Sequence, residues 1–167
     1  MSVLSHPVFG KVNDDPDDGV EWTGTRKLGA LDIPVALDLP GGEPNVSKLL
    51  DKVAPFVTAL AEHDEVARGA VEAAYDDGPD SPVASYIDHH LDELDDTAIA
   101  KIFGSPKEEV DLPTFLRALH LGRVGLYPSE LDRCAVFDYT IGKDATQYVL
   151  SVAFDGEGGV TSIDMES

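Results

Sequence analysis

The chain has one cysteine, one tryptophan, two methionines and only 12 lysines and arginines in 167 residues. A lone Cys134 excludes an intramolecular disulfide and any C-x-x-C redox or zinc motif, and makes a reducing compartment its simplest home. It lies in the apolar run Cys134-Ala135-Val136-Phe137, where a buried, inert thiol is expected. No apolar run reaches the ~18 residues of a membrane span. The stretch Met1 to Pro7 lacks a basic region leading into an apolar one. The expectation is a soluble, cytoplasmic protein with no membrane partner. Also missing are G-x-S-x-G, a Gly-rich phosphate loop, G-x-G-x-x-G and His-Glu-x-x-His. The sequence therefore nominates no catalytic residue, no cofactor and no metal ligand set.

What is abundant is negative charge. The 32 acidic side chains against 12 basic ones give a formal net charge of -20. Such a surface repels phosphate backbones and anionic membranes and attracts cationic surfaces. Nucleic acid is thus not an expected partner, and a basic protein is. Solubility alone is the other use of such acidity. With 43% hydrophobic and 26% charged residues the composition is that of a globular protein. Residues 1–167 are expected to form a single domain, a size at which about 70% of the unfolded surface is buried without a disulfide or metal.

The first forty residues read as strands and turns. Val8 to Val12, the turn cluster Asn13 to Gly19 and the alternating Val20 to Thr25 predict a hairpin. Ile33 to Leu39 predicts a third strand, which Pro34 pushes towards a sheet edge or a strand start because it has no N–H to donate. Helical spacing follows in Leu49, Leu50, Val53, Phe56, Val57 and Leu60, with a kink or break at Pro55. Further helices are predicted from Asp64 to Tyr75, from Ser81-Pro82 with proline at the first helical position, and from Asp96 to Phe103. The stretch Pro113 to Leu119 is either a helical turn or the lead into a strand over Leu119 to Tyr127. Ala135 to Ile141, Gln147 to Phe154 and Val160 to Met165 close the chain as strands. Strands grouped at both ends predict an α+β fold. Its mainly antiparallel sheet is built from N-terminal and C-terminal strands, with three to four central helices packed on one face.

Three groups of residues are candidates for contact with a partner. Asp14, Asp15, Asp17 and Asp18 cluster in the first long turn. Their spacing does not match a calcium loop, since counting from Asn13 the sixth position is Asp18 and the twelfth Gly24. Trp22 is either a packed hairpin residue or, if exposed, an interface hot spot. Asp88 and Asp92 share one face of the third predicted helix, as do His89 and Glu93. The adjacent His89 and His90 point apart, so a metal site there needs further ligands from elsewhere. The other reading puts His90 in the core beside Ile87, Leu91 and Leu94.

Three stretches carry a resemblance: His6-Pro7-Val8-Phe9-Gly10-Lys11-Val12 with the following Trp22 strand, Tyr86 to Leu94, and Tyr148 to Val160 with Met165-Glu166-Ser167. On these residues the chain resembles a small bacterial family of uncharacterised proteins. It is similar through them to immunity-type proteins that neutralise the toxins of competing bacteria. The resemblance implies a binding role and carries across no catalytic residue. Together with the charge, it leads to the expectation of a protein-binding module, immunity-like or inhibitor-like, directed at a basic partner. The alternatives are a metal-dependent enzyme using the His89/His90 acidic helix, and a housekeeping protein.

Overall fold

The computed structural model describes residues 2–167, and within them the elements run strands, helices, strands. Strands β1 (Ser2–His6) and β2 (Gly10–Asp14) form a separate antiparallel ribbon. Strands β3 (Val20–Leu28) and β4 (Leu31–Leu39) make a hairpin that begins a six-stranded sheet. The sheet is completed by β5 (His120–Leu126), β6 (Ala135–Thr140), β7 (Val149–Phe154) and β8 (Val160–Glu166), in the order β3-β4-β5-β6-β7-β8. Every neighbouring pair is antiparallel except β4 and β5. The chain is thus α+β with a mainly antiparallel sheet drawn from both ends.

The expected first hairpin is not the one that forms. Val8 to Val12 was expected to pair forward across the acidic turn, but β2 pairs backward with Ser2–His6, and β3 pairs with β4 around Gly29. The reason is local. The Asp15 carboxylate accepts the backbone N–H groups of Asp17 and Asp18, and only the Asp15–Gly19 bridge spans the turn. The turn closes on itself and no ladder extends from it. Gly29, at φ 60°, supplies the left-handed residue that the two-residue β3–β4 connection requires.

Pro34 does not place β4 at an edge, because β4 lies between β3 and β5. The ladder to β5 takes up only Val35–Leu37. Pro34 therefore falls where β4 has a neighbour on the β3 side alone.

Period-two burial in β4 sends Ile33, Val35, Leu37 and Leu39 to one face. Register carries that face across the sheet through Val124, Phe137 and Val152. The helices cover it. Helix α1 (Val46–Val53) is separated by Ala54 alone from Pro55, which begins the four-residue α2 (Pro55–Thr58). Proline thus breaks the helix as its missing N–H predicts. Helices α3 (Leu60–Tyr75), α4 (Pro82–Glu93), α5 (Asp96–Phe103) and α6 (Leu112–Ala118) follow. The side chains of Ser81, Asp95 and Asp111 cap α4, α5 and α6 by accepting backbone N–H groups. The ambiguous stretch before β5 is helical up to Ala118.

Phe56 of α2 meets Phe154 and Phe137 of the sheet at ring distances of 5.4 and 6.4 Å. These rings are fully buried and stand at the centre of the core. Phe154→Ala is expected to lower the unfolding free energy by about 3–5 kcal/mol, read from urea denaturation monitored by circular dichroism.

Candidate functional sites

Two surfaces differ in kind from the rest of the molecule: an acidic helical face and the uncovered face of the sheet. From residue 72 to residue 96 the chain passes through the end of α3, all of α4 and the start of α5 without a lysine or arginine. Every acidic side chain in that stretch is exposed. Asp92 lies 3.3 Å from Lys107, and Asp95 spends an oxygen on its helix cap. Asp88 makes no ion pair or hydrogen bond among the described residues. Tyr75, 37% exposed, sits beside Asp76 and Asp77 at the end of α3.

The acidic turn lies elsewhere. The β1–β2 ribbon packs on β3 and α1, whereas α4 packs on β7 and β8 at the other edge of the sheet. Asp14, Asp15, Asp17 and Asp18 are therefore not brought together with Asp88 and Asp92. Asp17 and Asp18 are exposed, while Asp14 and Asp15 are half-buried. The backbone N–H groups of Asp17 and Asp18 hold the Asp15 carboxyl below its ordinary value. Trp22 is half-buried on the helix side of β3, edge-on to Phe9 at 4.9 Å, with the Arg26 guanidinium over its ring at 5.4 Å.

The two histidines of α4 have separate roles. His89 is half-buried against the ring of Tyr148. His90 is buried, and both its nitrogens are engaged. Nδ1–H donates to the Tyr86 carbonyl at 2.7 Å, and Nε2, 2.8 Å from Thr146 Oγ, accepts the threonine hydroxyl proton. Thr146 Oγ in turn accepts the Tyr148 N–H. This neutral tautomer leaves no ring lone pair free for a metal ion. Among the described residues no three His, Cys, Asp or Glu side chains are grouped to hold one. Cys134 is buried, and burial pushes its thiol up, away from the thiolate.

The uncovered sheet face carries a cluster that sequence reasoning did not single out. Asp138 on β6 points away from the helices, opposite in direction to Phe137 and Tyr139. Its register partner Ser151 on β7 is buried, and Ser151 Oγ lies 2.6 Å from Asp138 Oδ1 and 3.0 Å from Glu166 Oε2 on β8. A hydroxyl has one hydrogen to give. Satisfying both contacts takes a proton on one of the two carboxyls, and burial pushes that of Asp138 above its ordinary value. Arg123 and Arg133 stand 3.9 Å from the outer oxygens of Asp138 and Glu166. Tyr127 lies across Gly125, where an added Cβ would come within 2.9 Å of the ring.

Arg123, Tyr127, Arg133, Asp138 and Glu166 line a depression of about 330 Å³. It meets a second, of about 630 Å³, at the shared Arg123–Asp138 pair. The available sequence signal was a polar residue within two largely apolar strands, Asp138 in β6 and Ser151 in β7.

No family model, curated protein or solved structure matches the chain. No helix among the described residues is long and apolar enough to cross a membrane.

Burial is the main cause holding the His90 imidazole below its ordinary value of 6.5. Its contribution to stability is present above that value and lost as pH falls through the lowered folded value, because the unfolded chain takes up the proton first. The difference in unfolding free energy between wild type and His90→Gln should therefore shrink as pH falls from 7 into the range below 6.5. Parallel urea titrations of the two proteins measure it.

Proposed function

We propose that the chain is a protein-binding module, of the immunity or inhibitor kind, that docks a basic protein on the acidic helical face. The observation that carries this reading is the run from residue 72 to residue 96, exposed at every carboxylate and free of lysine and arginine. A predominantly acidic surface raises the encounter rate with a cationic partner and disfavours nucleic acid. Tyr75 adds what charge lacks. An exposed aromatic ring within the acidic field can enter a pocket and lose its water, as interface hot spots do. The resemblance in the β1–β3, α4 and C-terminal stretches supports the same role. A cytoplasmic setting suits the single buried Cys134.

The test starts with capture of the partner by the tagged chain at low salt, followed by binding kinetics. The association rate is expected to fall about tenfold or more between about 50 and 500 mM salt. Charge reversal at Asp76, Asp77 and Asp80 should slow association, whereas Tyr75→Ala should speed dissociation. Association that ignores both salt and the charge-reversed variant would falsify this docking surface.

A further inference from the structure

We propose that the uncovered sheet face is a binding groove for a neutral oligosaccharide, held by Arg123, Asp138, Arg133 and Glu166 beside the ring of Tyr127. Two gaps separate these charged side chains. Arg123 Nη1 to Asp138 Oδ2 and Arg133 Nη2 to Glu166 Oε1 both measure 3.9 Å, which is too long for a direct hydrogen bond. One oxygen can nevertheless lie within about 2.9 Å of a guanidinium nitrogen and about 2.7 Å of a carboxylate oxygen at the same time. A sugar hydroxyl fits that demand, because it accepts from the arginine and donates to the carboxylate through one atom. Neither guanidinium makes a hydrogen bond to protein among the described residues.

The two gaps are held relative to each other. Ser151 Oγ binds the inner oxygens of both carboxyls and is itself buried. The outer oxygens therefore face the groove in a preformed arrangement. The charge of the walls selects a neutral ligand. With Glu130 at the rim, the two arginines are opposed by two carboxylates when Asp138 and Glu166 share a proton, and by three when they do not. A ligand carboxylate would meet Asp138, Glu166 and Glu130, and an ammonium would meet Arg123 and Arg133. A hydroxyl disturbs neither balance.

The Tyr127 ring offers a flat apolar surface to the C–H face of a pyranose. Length follows from the second depression, which opens from the Arg123–Asp138 pair towards Thr140, Lys143 and Gln147. The first depression, of about 330 Å³, has room for a single ring, and a second unit reaches the polar groups of the other. The site lies on the opposite side of the sheet from the helices, so it is independent of the docking face proposed above.

The test is a nuclear magnetic resonance titration of the whole 15N-labelled chain. The probes are a panel of neutral mono- to tetrasaccharides built from glucose, galactose, mannose, xylose and N-acetylglucosamine, with glutamate and lysine as charged comparators. At least one oligosaccharide at millimolar concentration is expected to shift the amide signals of Arg123, Asp138 and Ser151. It should bind more tightly than its own monosaccharide. Arg133→Gln, at an exposed position, and Asp138→Asn should each weaken binding about tenfold, as loss of a charge-assisted hydrogen bond implies. Retained amide dispersion in Arg133→Gln separates that loss from misfolding. The proposal is overturned if no neutral glycan moves these signals, if glutamate or lysine moves them more strongly, or if the well-folded Arg133→Gln binds as wild type does.

Discussion

Three residue pairs hold the two ends of the chain in one sheet. Val35, Ala36 and Leu37 of β4 run parallel to Val124, Gly125 and Leu126 of β5, and among the described residues no other ladder joins the N-terminal hairpin to the C-terminal meander. A parallel pair cannot be closed by a tight turn. The chain must leave β4, travel and return to the adjacent strand, and residues 40–119 make that journey through six α-helices and one short 3-10 turn. Its loop-closure cost is set against helix-to-sheet burial, centred on Phe56, Phe137 and Phe154. One excursion covers one face. The other face is left to the side chains of the strands themselves.

That asymmetry divides the chemistry of the surface. On the covered side the helices turn apolar residues inward, and residues 72–96, from the end of α3 to the start of α5, present carboxylates outward with no lysine or arginine among them. On the uncovered side, cations and carboxylates are interleaved on neighbouring strands. Arg123, Asp138, Ser151 and Glu166 come from β5, β6, β7 and β8, where cross-strand neighbours stand close enough to share protons and hydroxyls. In a protein of net charge -20, this is a place where positive and negative groups are balanced locally. A strongly acidic surface suits encounter with a large cationic partner. A balanced groove suits a small neutral ligand.

Polar links, each with at least one partner removed from solvent in part, help fix how the helices and the ribbon sit on the sheet. Tyr139 on β6 donates to Asp64 of α3 at 2.6 Å, while Arg68 of the same helix reaches the carbonyls of Leu116 and Leu119 at the end of α6. His90 ties α4 to the loop before β7 through Thr146. His6 ties the β1–β2 ribbon to Asp51 of α1, and Arg26 of β3 reaches the Val8 carbonyl in the same ribbon. Apolar contacts tolerate sliding, but a buried hydrogen bond left without its partner costs about 1–3 kcal/mol. These links therefore select one helix register among several that the apolar faces alone would allow.

Local physics accounts for what could be read before the fold was known. Period-two alternation in residues 33–39, proline at the first turn of α2 and α4, and the glycine after α5 act over a few residues. The strands-helices-strands order and the α+β class follow from them. The partners of the strands could not be read in this way. The backward pairing of β2 depended on whether the Asp15 turn would close on itself or propagate a ladder, and Pro34 is compatible with an inner strand only because the β4–β5 ladder begins at Val35.

The candidate sites divide along the same line. The exposure of Asp17, Asp18, Asp88 and Asp92 is legible, because carboxylates stay in water unless they are paired in the interior. The separation of the acidic turn from α4, and the meeting of Asp138, Ser151 and Glu166, are decided by tertiary structure alone. Sequence determines which way each strand residue faces. Which strands stand side by side is set by the balance of burial and closure over the whole chain, and a site assembled across three strands exists only after that balance is struck.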